Sequence, residues 1–146
     1  MVNHFFLARK NNPATGNGTA LFDLQTTKSI ESLVFDKQSN IILGIRVLTD
    51  EKDFIHNELI TIDLSANSTT AHSLADDSYY QLVLSDEGEL YGIRDVAGYT
   101  NPETTVLVEM DPSNGEETMI LDLETTSETE SLVFDNQIKR ILGVES

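Results

Sequence analysis

The segment Leu21 to Ile45, LFDLQTTKSIESLVFDKQSNIILGI, lies without a gap on Ile120 to Val144, ILDLETTSETESLVFDNQIKRILGV, at an offset of 99 residues. Of these 25 positions 14 are identical, including the unbroken run Glu31 to Asp36 against Glu130 to Asp135. The register continues upstream, where Pro13, Gly16 and Thr19 fall on Pro112, Gly115 and Thr118, so NNPATG and MDPSNG form the same turn. A weaker copy sits halfway. Tyr80 to Leu84 (YQLVL) matches Glu31 to Phe35 (ESLVF), Leu90 to Arg94 (LYGIR) matches Ile42 to Arg46 (ILGIR), and Asp63 corresponds to Asp111. The chain is therefore a unit of about 50 residues repeated, stepping 49 from Glu31 to Tyr80 and 50 from Tyr80 to Glu130, and a repeat of that period governs the whole fold assignment.

Each unit reads as four short strands with no helix. Runs such as SLVFD, IILGIRV, ELITIDL and TTAHSL are rich in β-branched residues and Leu, and partly alternate. Turn chemistry separates them: Asp111 to Gly115 supplies an Asp side chain to cap the turn, a Pro to preset φ and a Gly where φ is positive. Ser85 to Gly88 does the same over a shorter span. No long window keeps a 3.6-residue period, and Thr125 to Glu130 (TTSETE) is too polar to carry a buried helical face.

Four-stranded units of this length in tandem resemble the blades of β-propeller repeat proteins. Leu33 to Gly44, Leu82 to Gly92, Leu132 to Gly143 and Asp111 to Gly115 carry the resemblance, which covers almost the whole chain. Lettering the strands A to D outward from a channel, the expected order is CD-ABCD-ABCD-AB: an all-β fold of three four-stranded blades in a circularly permuted frame. Residues 1–30 form a half blade (C, D), 31–79 and 80–129 two blades, and 130–146 a half blade (A, B), all in one repeat domain. Three blades are fewer than the usual minimum of about four for a ring. The expectation is therefore half of a six-bladed ring, closed as a homodimer in which the AB half blade of each chain pairs with the CD half blade of the other. A fragment of a larger propeller, an edge-exposed half ring and a closed three-bladed monomer are the alternatives.

Composition narrows the partners. The chain has 146 residues, with 25 Asp and Glu against 9 Lys and Arg, for a net charge of −16. It has no Lys or Arg between Lys52 and Arg94 or between Arg94 and Lys139, which argues against nucleic acid, since phosphate binding needs clustered cations. With no cysteine, disulfides, thiolate nucleophiles and Cys-based zinc sites are excluded. No window approaches ~20 apolar residues and the N-terminus lacks the pattern of a signal peptide, so no membrane partner is expected, and the localisation is soluble, cytoplasmic if the chain is full length.

The propeller resemblance implies that ligands meet the channel mouth formed by the B-to-C and D-to-A loops. Those loops hold Asp50, Glu51, Asp53 and His56, with Asp76 and Asp77 in the next one, a group that offers oxygen ligands to calcium or magnesium. No calcium-loop motif is present and acidic loops are commonly just solvated, so no metal ligand and no cofactor are assigned. His4, His56 and His72 do not fall at zinc spacing. Tyr79, Tyr80 and Tyr99 offer either an aromatic platform or packing at blade edges. Glu31, Tyr80 and Glu130 share one repeat position before the innermost strand and would converge near the mouth, as acid–base or cation-binding material or as passive copies. Arg46 and Arg94 are also equivalent, and pairing with neighbouring acids is their expected role.

No nucleophile elbow, phosphate loop, dinucleotide fingerprint or metalloprotease motif occurs. The expected function is a non-enzymatic binding or scaffold module for a protein or peptide ligand. The alternative is a divalent-cation-dependent hydrolase or lactonase-like enzyme with its site at the channel mouth, and the third reading is assembly alone.

Overall fold

The computed structural model describes residues 7–23, 29–75, 79–96, 104–123 and 129–145. They form β1 (Leu7–Asn11), β2 (Gly18–Asp23), β3 (Ser29–Asp36), β4 (Ile41–Thr49), β5 (Ile55–Asp63), β6 (Ser68–Ser73), β7 (Tyr79–Leu84), β8 (Leu90–Val96), β9 (Thr104–Met110), β10 (Glu117–Asp122), β11 (Thr129–Asp135) and β12 (Arg140–Glu145). All pairings are antiparallel: two four-stranded sheets, β3-β4-β5-β6 and β7-β8-β9-β10, and two hairpins, β1-β2 and β11-β12. The fold is all-β, and the described residues do not close into a ring. Among them no helix is long and apolar enough to cross a membrane.

The repeat extends to the details of the ladders. Gly44 faces Leu33, Gly92 faces Leu82 and Gly143 faces Leu132, so the three first hairpins share one register. The strand-joining turns are held by a side chain that folds back on the backbone. Asp36, Asp63 and Asp135 each accept two backbone N–H bonds from residues two and three further on. Asp111 takes the Ser113 N–H at 2.8 Å, and Asn12, at the matching position, takes the Ala14 N–H at 2.9 Å. A left-handed residue completes that turn: Gly16 at φ 71°, Gly115 at φ 77° and, in the first sheet, Asn67 at φ 53°. Four of the acidic residues, Asp36, Asp63, Asp111 and Asp135, thus serve as turn caps.

The main core lies between the two sheets. Leu43, Ile45, Leu59 and Leu74 of the first pack with Leu82, Leu90, Val106, Val108 and Met110 of the second. The central strand β5 buries both faces, Leu59 on one and Ile60 and Ile62 on the other, which explains its nearly continuous apolar sequence. The first strands β3, β7 and β11 lie side by side in chain order. Turns on one rim are knit together: Gln38 Nε2 donates to the Asp86 carbonyl at 2.6 Å, Asp86 N–H donates to Asn136 Oδ1 at 3.0 Å, and Lys139 Nζ stands 2.8 Å from Glu87 Oε1. Tyr91 stacks on Phe134, with ring centroids 6.3 Å apart and 3° between planes.

Candidate functional site

The alternation of strands sets two rims. One carries the turns just described. The opposite rim holds the β4–β5 loop, residues 50–54, and the starts of β3, β7 and β11.

At each of those starts the pairing skips one residue. Ile30 pairs with Arg46 and Ser32 with Ile45; Tyr79 pairs with Arg94 and Gln81 with Ile93; Thr129 pairs with Glu145 and Ser131 with Val144. Glu31, Tyr80 and Glu130 are thus the extra residues of three equivalent β-bulges, a device that bends a strand and re-aims a side chain. The sequence shows that they share a repeat position, but the missing pairing partner emerges only from the ladder. The Glu31 carboxylate is exposed and accepts from Ser29 Oγ at 2.5 Å. Tyr80 and Glu130 are placed by their backbone.

The loop folds around Asp50. Its Oδ1 accepts the N–H groups of Lys52 at 2.8 Å and Phe54 at 2.9 Å, and its Oδ2 lies 3.3 Å from His56 Nε2. The Phe54 N–H foremost, with help from Lys52 and His56, holds the Asp50 carboxyl below the usual carboxylate range. Asp53, at φ 62°, turns the chain and donates its N–H to the Asp50 carbonyl. The Asp50 and His56 side chains are therefore brought together, Asp53 joins Asp50 through its backbone N–H, and Asp50 is turned toward its own loop. Asp76, Asp77 and Tyr99 lie outside the described residues. Among the described residues no three His, Asp or Glu side chains are grouped so as to hold a metal ion.

Sequence reasoning passed over the apolar part of this loop. Phe54 is 62% exposed and Ile55 is also exposed, directly beside Glu51 and Asp53. The available signal was an aromatic–aliphatic pair inside an otherwise charged loop.

Arg46 and Arg94 pair with acids, as their repetition suggests. Arg46 Nε donates to Glu58 Oε2 at 2.9 Å, and Arg94 Nε and Nη2 donate to the Glu117 carboxylate at 3.1 and 2.7 Å. Both pairs are largely shielded from solvent, and Arg46 and Arg94 stand opposite Ile30 and Tyr79 in the ladders, next to the bulges. On the other rim, a shallow groove of about 490 Å³ runs past Glu89, Glu109, Asp111 and Glu116. Tyr91 Oη donates to Glu89 at 3.1 Å beside it, and burial foremost raises the Tyr91 phenol above its ordinary value.

Neither the family models nor the curated proteins compared with this chain match it.

Proposed function

We propose that the chain is a non-enzymatic binding or scaffold module made of β-propeller blades, half of a six-bladed ring that a second copy completes. The observation that carries the reading is that β3, β7 and β11 lie side by side in chain order, with hydrogen bonds linking the turn that follows each to the next. A rigid array of this kind presents the 50–54 loop and the bulged starts on a single rim. Phe54 and Ile55, flanked by carboxylates, suit an apolar segment of a protein or peptide that carries neighbouring positive charge.

A random-heptapeptide display library panned on the purified protein tests this reading. Enriched peptides whose binding is lost in Phe54→Ala support it; no enrichment, or enrichment indifferent to Phe54→Ala, overturns the loop as the site. Thermal melting with millimolar calcium or magnesium chloride, alongside hydrolysis of p-nitrophenyl acetate and a γ-lactone, tests the hydrolase alternative. The expected result is neither a shift nor turnover. An ion-dependent rise in Tm with turnover replaces the binding module by the enzyme.

A further inference from the structure

Residues at one repeat position differ in burial according to whether a unit stands beside them. Leu82 is 5% exposed between the two sheets, whereas its equivalent Leu33, on the face of the first sheet turned away from the second, is 47% exposed. Leu43 is 1% and Val83 is 5% exposed, while Leu142 and Val133, their equivalents in the last hairpin, are 45% and 56% exposed. Each end of the array therefore exposes apolar side chains, Leu33 and Phe35 at one and Val133 and Leu142 at the other, where a self-sufficient repeat array ends in polar caps.

Two of the sheets also stop at two strands where the repeat has four. In both complete sheets the second strand pairs with a third, β4 with β5 and β8 with β9. The same edge of β12 has no neighbour among the described residues. The β1-β2 hairpin is the sequence copy of β9-β10, even to its bulge, with Leu21 skipped where Ile120 is skipped. Its residues from Lys10 to Ala20 are all exposed. A lone two-stranded hairpin is marginal in water.

The turn gives a third indication. A Cβ on Gly115 would stand 3.0 Å from Leu74 Cδ2 and near Leu59 and His72, because the β9–β10 turn sits on the outer part of the first sheet. Gly16, in the equivalent β1–β2 turn, has nothing within 4 Å. The matching seat on the second sheet is Leu107, Leu121 and Leu123: Leu107 and Leu123 are half-buried where their equivalents Leu59 and Leu74 are buried, and Leu121, in the place of His72, is exposed.

We infer that the β1-β2 hairpin of a second copy adds to β12 and seats its Pro13–Gly16 turn on Leu107, Leu121 and Leu123, while the Leu33 and Phe35 face of that copy covers Val133 and Leu142. The inference rests on the blade reading above and specifies the partner, the surface and the register. Transferring the β8–β9 ladder onto the new junction pairs Gly143 with Arg9, Leu142 with Lys10 and Ile141 with Asn11. Two-fold symmetry makes the contact twice and brings both two-stranded sheets to four strands.

The native chain has no cysteine, so cross-linking reads the register directly. The double variant Lys10→Cys/Leu142→Cys, both at exposed positions, is oxidised and run on a non-reducing gel, with Asn12→Cys/Leu142→Cys as the out-of-register control. The expected product is a doubly linked dimer from the first variant and at least ten-fold less from the control. In sedimentation the unmodified chain runs as a dimer at micromolar concentration, and Leu121→Asp, at a side chain already exposed in one copy, weakens it at least ten-fold with an unchanged far-ultraviolet circular dichroism spectrum. A monomer, an intrachain link, equal yields in both cysteine variants or no effect of Leu121→Asp overturns the proposal. Small-angle scattering of the linked dimer separates the two readings: a disc with a central hole supports the blades, and an elongated particle that still shows in-register linkage retains the docking and rejects the ring.

Discussion

Ser32 Oγ accepts the backbone N–H of Leu82 at 3.1 Å, a bond between the first strands of two successive repeats. It sits in a partly buried place just after the Glu31 bulge, where the irregular ladder brings β3 against β7. Ser32→Ala leaves that N–H without its acceptor and is expected to cost about 1–2 kcal/mol. Urea unfolding measures the loss, and hydrogen exchange at the Leu82 amide rises with it. An unchanged exchange rate means that the bond contributes nothing to holding the repeats together.

Two equivalent glycines respond differently to alanine. A Cβ on Gly44 meets Leu33 Cδ2 at 2.5 Å and the Ser32 carbonyl oxygen at 2.9 Å, and the backbone oxygen cannot swing away. Gly44→Ala is expected to destabilise by about 1–3 kcal/mol. At Gly92 the nearest atom is Val108 Cγ2 at an ordinary 3.4 Å. Gly92→Ala is expected to be neutral or to stabilise by up to about 1 kcal/mol, through a less flexible unfolded chain. Thermal melting of the two variants side by side is expected to show a lowered Tm for Gly44→Ala and an unchanged or raised Tm for Gly92→Ala.

The turn aspartates set the acid limb of stability. The Ser39 hydroxyl foremost lowers the Asp36 carboxyl, the Phe54 N–H lowers Asp50 and the Ser113 hydroxyl lowers Asp111. Carboxyls with a depressed folded pKa stabilise fully above the unfolded value of about 3.9 and lose that contribution as pH falls through the folded value. Asp111→Asn keeps an acceptor, as Asn12 does in the matching turn, and removes the titration. Its Tm is expected to match the parent at pH 7 and to fall less steeply below pH 4. Parallel acid melting curves for the two proteins count against this account.

A net charge of −16 acts in the other direction. Carboxylates crowded on turns and loops repel one another, and salt shortens the reach of that repulsion from about 10 Å at 0.1 M to about 3 Å at 1 M. Sodium chloride is expected to raise Tm steadily across this range, as followed by circular dichroism. A decrease would mean that ion pairs such as Lys139 with Glu87 outweigh the repulsion.

The Arg46–Glu58 pair is shielded enough to be tested by a double-mutant cycle. Glu58→Ala is expected to cost about 1.5–3 kcal/mol, with most of it recovered as coupling to Arg46→Ala. Additive losses would assign the effect to packing of the arginine stem alone.

The strands and turns were legible because the repeat supplies each assignment two or three times. Asp111 predicts its own turn, and Asn12 and Asp63 repeat the prediction with different neighbours. The candidate site was less legible. Asp50 and His56 sit in a loop of the expected kind, yet the direction of the Asp50 carboxylate depends on the N–H groups of Lys52 and Phe54, which no spacing rule encodes. Phe54 was overlooked because an isolated aromatic in a loop reads equally well as packing until its exposure is known.

The sequence by itself determined the all-β class, the length of the unit and the turn chemistry, since these depend on near neighbours and on period. Tertiary structure decided the bulges at Glu31, Tyr80 and Glu130, the order of the first strands, and the contrast between buried Leu82 and exposed Leu33. The physical reason is that identical residues in identical strands acquire different environments only when something packs beside them. Burial belongs to the assembled array, and a local stretch of sequence carries no record of its neighbour.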